Sequence, residues 1–437
     1  MDPVIVGVLC FIAFLVLMFF NMPVPFSMLF IGFIGLCILR SPSAAVQGIS
    51  ANLFTGFSSY TLSVAPIFGL MGFLASYSGI GEKLFNTTDM FIGHIKGGVA
   101  CAVQVASAAF GAICGSTPAT MGTMVAVAYP EMQKRGYSPK LSVCSIGIGS
   151  TLSILIPPSS TMIIYGSCAE ESVGRLFMAG IIPGIILCVI NCIIILVLVK
   201  RHPDYVESAS PKTTWSARLK SLKSGGLIEV IILFVLVMGG MFGGFFTPTE
   251  AASVGAIGML IIGLIERKIN FKKLRVSLAA SAKLAAMVFF IMTCGTIYGR
   301  LIALSTISAK VAAFVASLNA APWLIVAAII GIYFILGMFI DGITMIVLTV
   351  PIFKPVFAVL GFDGIWFGVI IVLVLILGGQ TPPVGINCFY MKGFVKDVSL
   401  TTIFSGAWPF VIGVLITIAV VIIFPPLATW LPNVLFG

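Results

Sequence analysis

Four short clusters of small, hydroxylated or acidic residues interrupt runs that are otherwise apolar. They are Gly115-Ser116-Thr117-Pro118, the stretch 150–160, Asp341-Gly342-Ile343-Thr344 and Gly378-Gly379-Gln380-Thr381-Pro382-Pro383. Proline cannot donate to a helix ladder, and glycine lets the backbone leave it. Carbonyl oxygens near 153–158 and 378–383 are therefore expected to be free. Freed carbonyls with Ser and Thr hydroxyls suit a weakly hydrated monovalent cation such as Na⁺, and helix N-termini at the same breaks suit a carboxylate. The candidate Na⁺ ligands are Ser116, Thr117, Ser153, Ile156, Pro158, Asp341, Thr344, Gly378, Gly379, Thr381 and Pro383. The candidate contacts to a bound carboxylate are Ser116, Thr117, Ser159, Thr344 and Thr381.

Asp341 is the sharpest of these. No other acidic or basic residue lies between 333 and 350. A carboxylate at membrane depth is costly and usually functional. The competing reading is a helix cap, a position Asp favours. Arg300 and Lys283 are weaker candidates. Arg300 would lie towards one end of its span, where snorkelling is the ordinary explanation. Glu250, in Thr-Pro-Thr-Glu, reads as a cap at a helix start.

The elements that must carry these clusters follow from composition. The chain has 437 residues, 59% hydrophobic and 9% charged, with mean hydropathy +1.18. Soluble domains carry roughly 25% charged residues. Continuous apolar runs such as 181–199 exclude the alternation of a membrane β-barrel. The chain reads as an all-α polytopic membrane protein. Asp2 stands where a signal peptide would be basic, so 3–20 reads as a first span. A turn at 21–25, a return span at 26–39, a polar Ser-rich stretch at 41–60 and an apolar segment at 61–78 follow. Residues 79–98 are mixed and read as an interfacial helix. The pair 227–246 and 251–265, then 276–303 and 311–320, lead to the second broken stretch. The net charge of +10 sits in short loops, as membrane orientation requires, which argues against nucleic-acid binding. No C-x-x-C pair or Cys/His cluster is present, so a zinc site is not expected.

Most of the pattern occurs twice. At an offset of 225 residues, Pro23, Pro130, Pro157 and Pro158 fall on Pro248, Pro355, Pro382 and Pro383, and Ser116 falls on Asp341. Chance placement gives roughly 0.6 such proline coincidences, whereas transporter folds are commonly built from repeats. Lys134, Arg135 and Lys140 cluster between the broken segments of the first half, while the matching loop 351–363 holds only Lys354. Lys392 and Lys396 follow the second broken segment, where the first has Glu170, Glu171 and Arg175. Positive residues mark the cytoplasm, so the two repeats should be inverted. The expected organisation is an N-terminal repeat (1–200), a cytoplasmic linker (201–225) and a C-terminal repeat (226–437). The first repeat holds early scaffold helices, an interfacial arm at about 79–98, and a hairpin with a broken helix at 101–168. The second holds scaffold helices, then a hairpin with a broken helix at 322–394. Inverted repeats with re-entrant hairpins are the architecture of secondary carriers.

PEMQKRGYSPK followed by ILIPPSSTMIIYG, GFFTPTEAA, GMFIDGITMIVLTVPIFKPV, GFDGIWFGVI and QTPPVGINCF resembles the large membrane (M) subunit of tripartite ATP-independent periplasmic (TRAP) transporters. The resemblance covers essentially the whole chain. It implies an elevator-type carrier of the ion-transporter superfamily in the bacterial inner membrane, importing organic acids on a Na⁺ gradient. It also implies two partners, a small four-helix membrane subunit of Q type and a soluble periplasmic substrate-binding protein of P type. The chain starts directly with the large-subunit repeat, so no fused small subunit is expected. Cys114-Gly115-Ser116-Thr117-Pro118 departs from the Ser-Gly-Ser-Ala of many members, placing a proline ring at that tip. Within the family the sequence looks most like sialic-acid members. The runner-up is another ion-coupled carrier of the superfamily working without a binding protein.

Other classes fit less well. An intramembrane protease needs a nucleophile–base pair or paired aspartates, and Asp341 is alone at depth. A channel needs a continuous pore and no inverted repeat of broken hairpins. There is no G-x-x-x-x-G-K-[ST] motif, so ATP is not expected to be used by that route.

Overall fold

The computed structural model describes all residues except 1, 21, 212, 225, 318–320 and 437. Parts of the expected turn at 21–25, of the linker and of the span at 311–320 thus lie outside the described residues. The first half runs α1 (Pro3–Phe19), α2 (Val24–Leu39), α3 (Pro42–Phe57), α4 (Val64–Ser78), α5 (Ile80–Ile92), α6 (Gly98–Cys114), α7 (Thr117–Lys134), α8 (Pro139–Thr151), α9 (Ser160–Ala169) and α10 (Val173–Arg201). A linker helix α11 (Trp215–Ser224) follows. The second half runs α12 (Leu227–Phe234), a π-turn, α13 (Gly240–Phe242), α14 (Pro248–Ile265), α15 (Phe271–Leu304), α16 (Ile307–Ser317), α17 (Pro322–Gly337), α18 (Gly342–Leu360), α19 (Gly364–Gln380), α20 (Ile386–Phe394), α21 (Leu400–Ile423) and α22 (Pro426–Phe436).

At the 225-residue offset, α2 falls on α14, α5 on α16, and α6 to α10 on α17 to α21. The pair α3 and α4 falls on the single helix α15. Packing shows how the halves are related. Gly48 lies against Arg300, Gly56 against Thr293, Gly69 against Leu284 and Gly79 against Lys268. One number rises as the other falls, so α3 and α4 together run antiparallel to their own counterpart. Gly32 meets Ile297 and Gly35 meets Leu301, so α2 runs parallel to α15; Gly255 meets Met71 in the matching α14–α4 contact. The repeats are therefore inverted, and the pseudo-two-fold passes near Leu62 and Met287.

The stretch 41–60, read as polar from sequence, is helical over most of its length. Ser41 caps α3 by accepting the Ala44 N–H, and Pro42 occupies the first turn, where no N–H is needed. Thr247 and Glu250 form a reciprocal capping box at the start of α14.

Two layers result. A frame of α1 to α4 and α12 to α15 packs side by side, and a hairpin unit of α6 to α10 and α17 to α22 packs against it. The centre of the hairpin unit is α19, whose residues from Ile365 to Gln380 are all buried, as expected of a helix that is apolar all round. On α10 the residues Ile185, Val189, Ile193 and Leu196 are exposed at helical spacing and form a lipid-facing stripe. Six helices among the described residues are long and apolar enough to cross a membrane, and up to seven if a bent pair is one span.

Basic loops gather on one face. Lys83 pairs with Glu266 at 2.8 Å near the start of α5. Near its end Asp89 pairs with Arg135 at 2.9 Å, and Ser210 of the linker bonds both. Both ends of α5 thus touch loops of the basic face, and α5 lies along that face.

Candidate functional site

The two hairpins turn at Gly115-Ser116 and at 338–341. Gly115 has φ +61°, a left-handed conformation that favours glycine, and its backbone sits against the Pro158 carbonyl. Pro118 falls in the first turn of α7, where its missing N–H costs no hydrogen bond. Each hairpin faces a broken helix. Between α8 and α9 the chain makes a 3₁₀ turn at Leu152–Ile154 and an irregular stretch through Pro157-Pro158. Between α19 and α20 it passes through Pro382-Pro383, and the peptide bond within each proline pair is cis.

These four interruptions converge on one cavity of about 550 Å³. The first turns of α7, α9, α18 and α20 line it, through Thr117, Thr161, Thr344 and Asn387. So do the ends of α6 and α17, at Cys114 and Gly337, and the break residues Ile154 and Gly379. Helix N-termini carry about half a positive charge and C-terminal carbonyls about half a negative one. One cavity therefore offers N–H groups to an anion and carbonyl oxygens to a cation. Its remaining wall is the frame: Val24 and Pro25 of α2, Gly69 and Phe73 of α4, and Leu284, Met287 and Ile291 of α15. The cavity thus sits at the pseudo-two-fold, between the two layers.

Of the residues singled out from sequence, Ser116, Thr117, Asp341, Thr344 and Gly379 line the cavity. Asp341 is the N-cap of α18. Its carboxylate accepts the N–H groups of Ile343 and Thr344, each at 3.1 Å, and the Thr344 hydroxyl. A carboxylate has about four lone-pair positions, so capping leaves room for a cation. The Thr117 hydroxyl is buried with no hydrogen-bond partner among the described residues, an open valence at the cavity wall.

The others stand back from it. Ser153 is buried and donates to the Ser150 carbonyl at 2.7 Å. The Ile156 side chain packs against Gly184. The carbonyl of Pro158 abuts Gly115, and Ser159 caps α9 by accepting the Met162 N–H. Gly378 is pressed against the backbone of Gly337, where α17 crosses α19. Thr381 donates its hydroxyl to the carbonyls of Leu377 and Gly378, and Pro383 is exposed. Sequence reasoning missed Asn387, Tyr390 and Thr161. Asn387 had a legible signal: it is the first polar side chain after the second break, where the first half has Met162.

A broken-helix cavity on the axis of an inverted repeat defines a membrane transport protein of the carrier class, not an enzyme. The chain belongs to the tripartite ATP-independent periplasmic transporter family, DctM component, which matches residues 11–427. It is 32% identical over 399 residues to the C4-dicarboxylate TRAP transporter large permease protein DctM of Pseudomonas aeruginosa, covering 91% of each chain. It is 29% identical over 422 residues to the sialic acid TRAP transporter large permease protein SiaM of Vibrio cholerae, covering 96% of this chain and 97% of that one. The Alcanivorax borkumensis YdaH transporter shares the fold, with a TM-score of 0.61 over 90% of this chain and 89% of the other at 13% identity. Large permeases of this family work with a small permease and a periplasmic binding protein.

Proposed function

We propose that this large permease imports an organic acid, a carboxylate such as sialic acid, across the bacterial inner membrane. Import is coupled to Na⁺ and fed by a periplasmic binding protein. The observation that carries this reading is the convergence of four helix N-termini and one carboxylate on a single cavity between frame and hairpin unit. The N-termini attract the acid's carboxylate, and Asp341 with the carbonyl ends attracts the cation. Each ion lowers the cost of the other at membrane depth. The candidate Na⁺ positions are the two hairpin tips, at Ser116 and Thr117 and at Asp341 and Thr344. Movement of the hairpin unit along the frame, in the elevator manner, would then carry both ions across. α5 packs on α6 and α7 as well as on α4. It therefore links the hairpin unit to the frame.

Uptake by proteoliposomes holding both membrane subunits, supplied with the binding protein, tests this reading. Radiolabelled sialic acid and C4-dicarboxylates are expected to enter only under an inward Na⁺ gradient. Uptake that is equally fast in K⁺, or the absence of uptake for every acid tried, would count against it.

A further inference from the structure

The boundary between frame and hairpin unit does not end at the central cavity. A second cavity, of about 530 Å³, continues along α15 over residues 292–303, towards the end away from the basic cluster at 267–275. Its polar lining comes from Thr55, Ser59, Ser167, Thr293, Thr296 and Arg300. Arg300 makes no ion pair or hydrogen bond with the described residues. Its guanidinium lies over Gly48, where a Cβ would stand 3.1 Å from Nη1. Glu170 is the one acidic residue among those lining this cavity, and it is already paired with Lys354 at 2.5 Å. The uncompensated charge there is therefore positive.

The hydroxyls divide by role. Thr55, Thr293 and Thr296 donate to carbonyls of their own helices. Ser59 accepts the Leu62 N–H, which leaves its own proton free to donate. Snorkelling accounts for an arginine head that reaches water. It does not account for a roomy, hydroxyl-lined cavity beside that head, adjoining the central one along the same helix.

We propose that this cavity is an anion-binding vestibule, in which Arg300 and Ser59 hold the carboxylate of the transported acid before it reaches the central cavity. The proposal rests on the organic-acid carrier reading. A guanidinium offers planar, paired donors that match a carboxylate. A lipid phosphate would meet the same donors, so the test separates the two sources.

The whole permease is reconstituted in phosphatidylethanolamine vesicles with or without phosphatidylglycerol. Thr296→Cys, at an exposed lining position, is modified with a membrane-impermeant maleimide, with the parent chain as labelling control. Succinate and N-acetylneuraminate are the probes, and N-acetylmannosamine is the uncharged control. At least one acid is expected to slow modification saturably in both lipid mixtures, and N-acetylmannosamine is not. Arg300→Gln should raise the half-protecting concentration about tenfold or more, as expected for a lost charge-assisted hydrogen bond, and Arg300→Lys should raise it less. Protection by neither acid, unchanged protection in Arg300→Gln, or slowing that requires phosphatidylglycerol overturns the proposal. Uptake in the same vesicles keeps the two readings apart. Intact uptake without Arg300-dependent protection removes the vestibule alone, whereas a parent chain that imports neither acid removes the carrier reading of these substrates as well.

Discussion

Asp341 sits where two roles coincide, and a single substitution separates them. Asn caps a helix about as well as Asp, so Asp341→Asn should leave folding and membrane assembly intact. It removes the charge, and with it the compensation for a cation at membrane depth. The expected outcome is a raised half-maximal Na⁺ concentration or abolished uptake; unchanged uptake and unchanged Na⁺ dependence would reduce Asp341 to a cap. Ser116→Ala should weaken Na⁺ dependence less, since only a hydroxyl dipole is lost. Thr117 allows a complementary measurement. Its hydroxyl is buried and has no partner among the described residues, so Thr117→Val should be neutral or stabilising by up to about 1 kcal/mol in thermal unfolding. Uptake should nevertheless fall if the hydroxyl meets Na⁺ or substrate. A variant that is both destabilised and fully active would show the hydroxyl to be structural.

Between hairpin and broken helix, fit depends on the absence of side chains. Gly115→Ala would strain a left-handed residue by roughly 1–2 kcal/mol and drive a methyl against the Pro158 carbonyl. The tip of the first hairpin should lift from the first break. We expect a chain that still inserts and assembles but shows sharply reduced uptake; uptake at the parent rate would mean that the tip tolerates displacement. The linker acts as an element of the same kind on the basic face. Tyr137 and Val206 form an isolated bridge, the Ser138 N–H donates to the Tyr205 carbonyl, and Arg135 joins Asp89 to Ser210. Arg135→Ala leaves the mostly buried Asp89 with the Ser210 hydroxyl but without its cation, and a loss of about 1–3 kcal/mol is expected from the thermal unfolding of the purified permease. A midpoint unchanged from the parent would show the strap to be incidental.

At the scale of the whole molecule, the inverted packing and the charge distribution fix an orientation. The linker at 200–223 and the loop at 266–275 belong to the basic face, which should be cytoplasmic, with both termini periplasmic. Single cysteines placed in these loops should react with impermeant reagents only after the membrane is opened. Labelling of the 200–223 loop from outside intact cells would reverse the orientation. On the reading proposed above, the periplasmic binding protein loads the cavity. Proteoliposomes of the membrane subunits without binding protein should therefore show little uptake; a full rate without it would favour a carrier that works alone.

The sequence by itself determined the class, the two repeats and the four interruptions. Each of these is local chemistry: proline and glycine break a helix wherever they fall, apolar runs need lipid, and basic loops choose a side. It also pointed to Asp341, because a lone carboxylate in an apolar run stands out without any structure. It did not show that α3 is a helix, since its Ser41-Pro42 start was hidden in a polar composition. Only the tertiary structure decided which break residues face the cavity. Ser153, Ser159 and Thr381 have the right chemistry, but each spends its hydroxyl on a backbone carbonyl or cap nearby, a choice that packing makes and composition does not record. The frame wall was equally invisible. Leu284, Met287 and Ile291 look like any apolar helix face, and they meet the hairpin tips only because an inverted two-fold brings the middle of α15 to the axis.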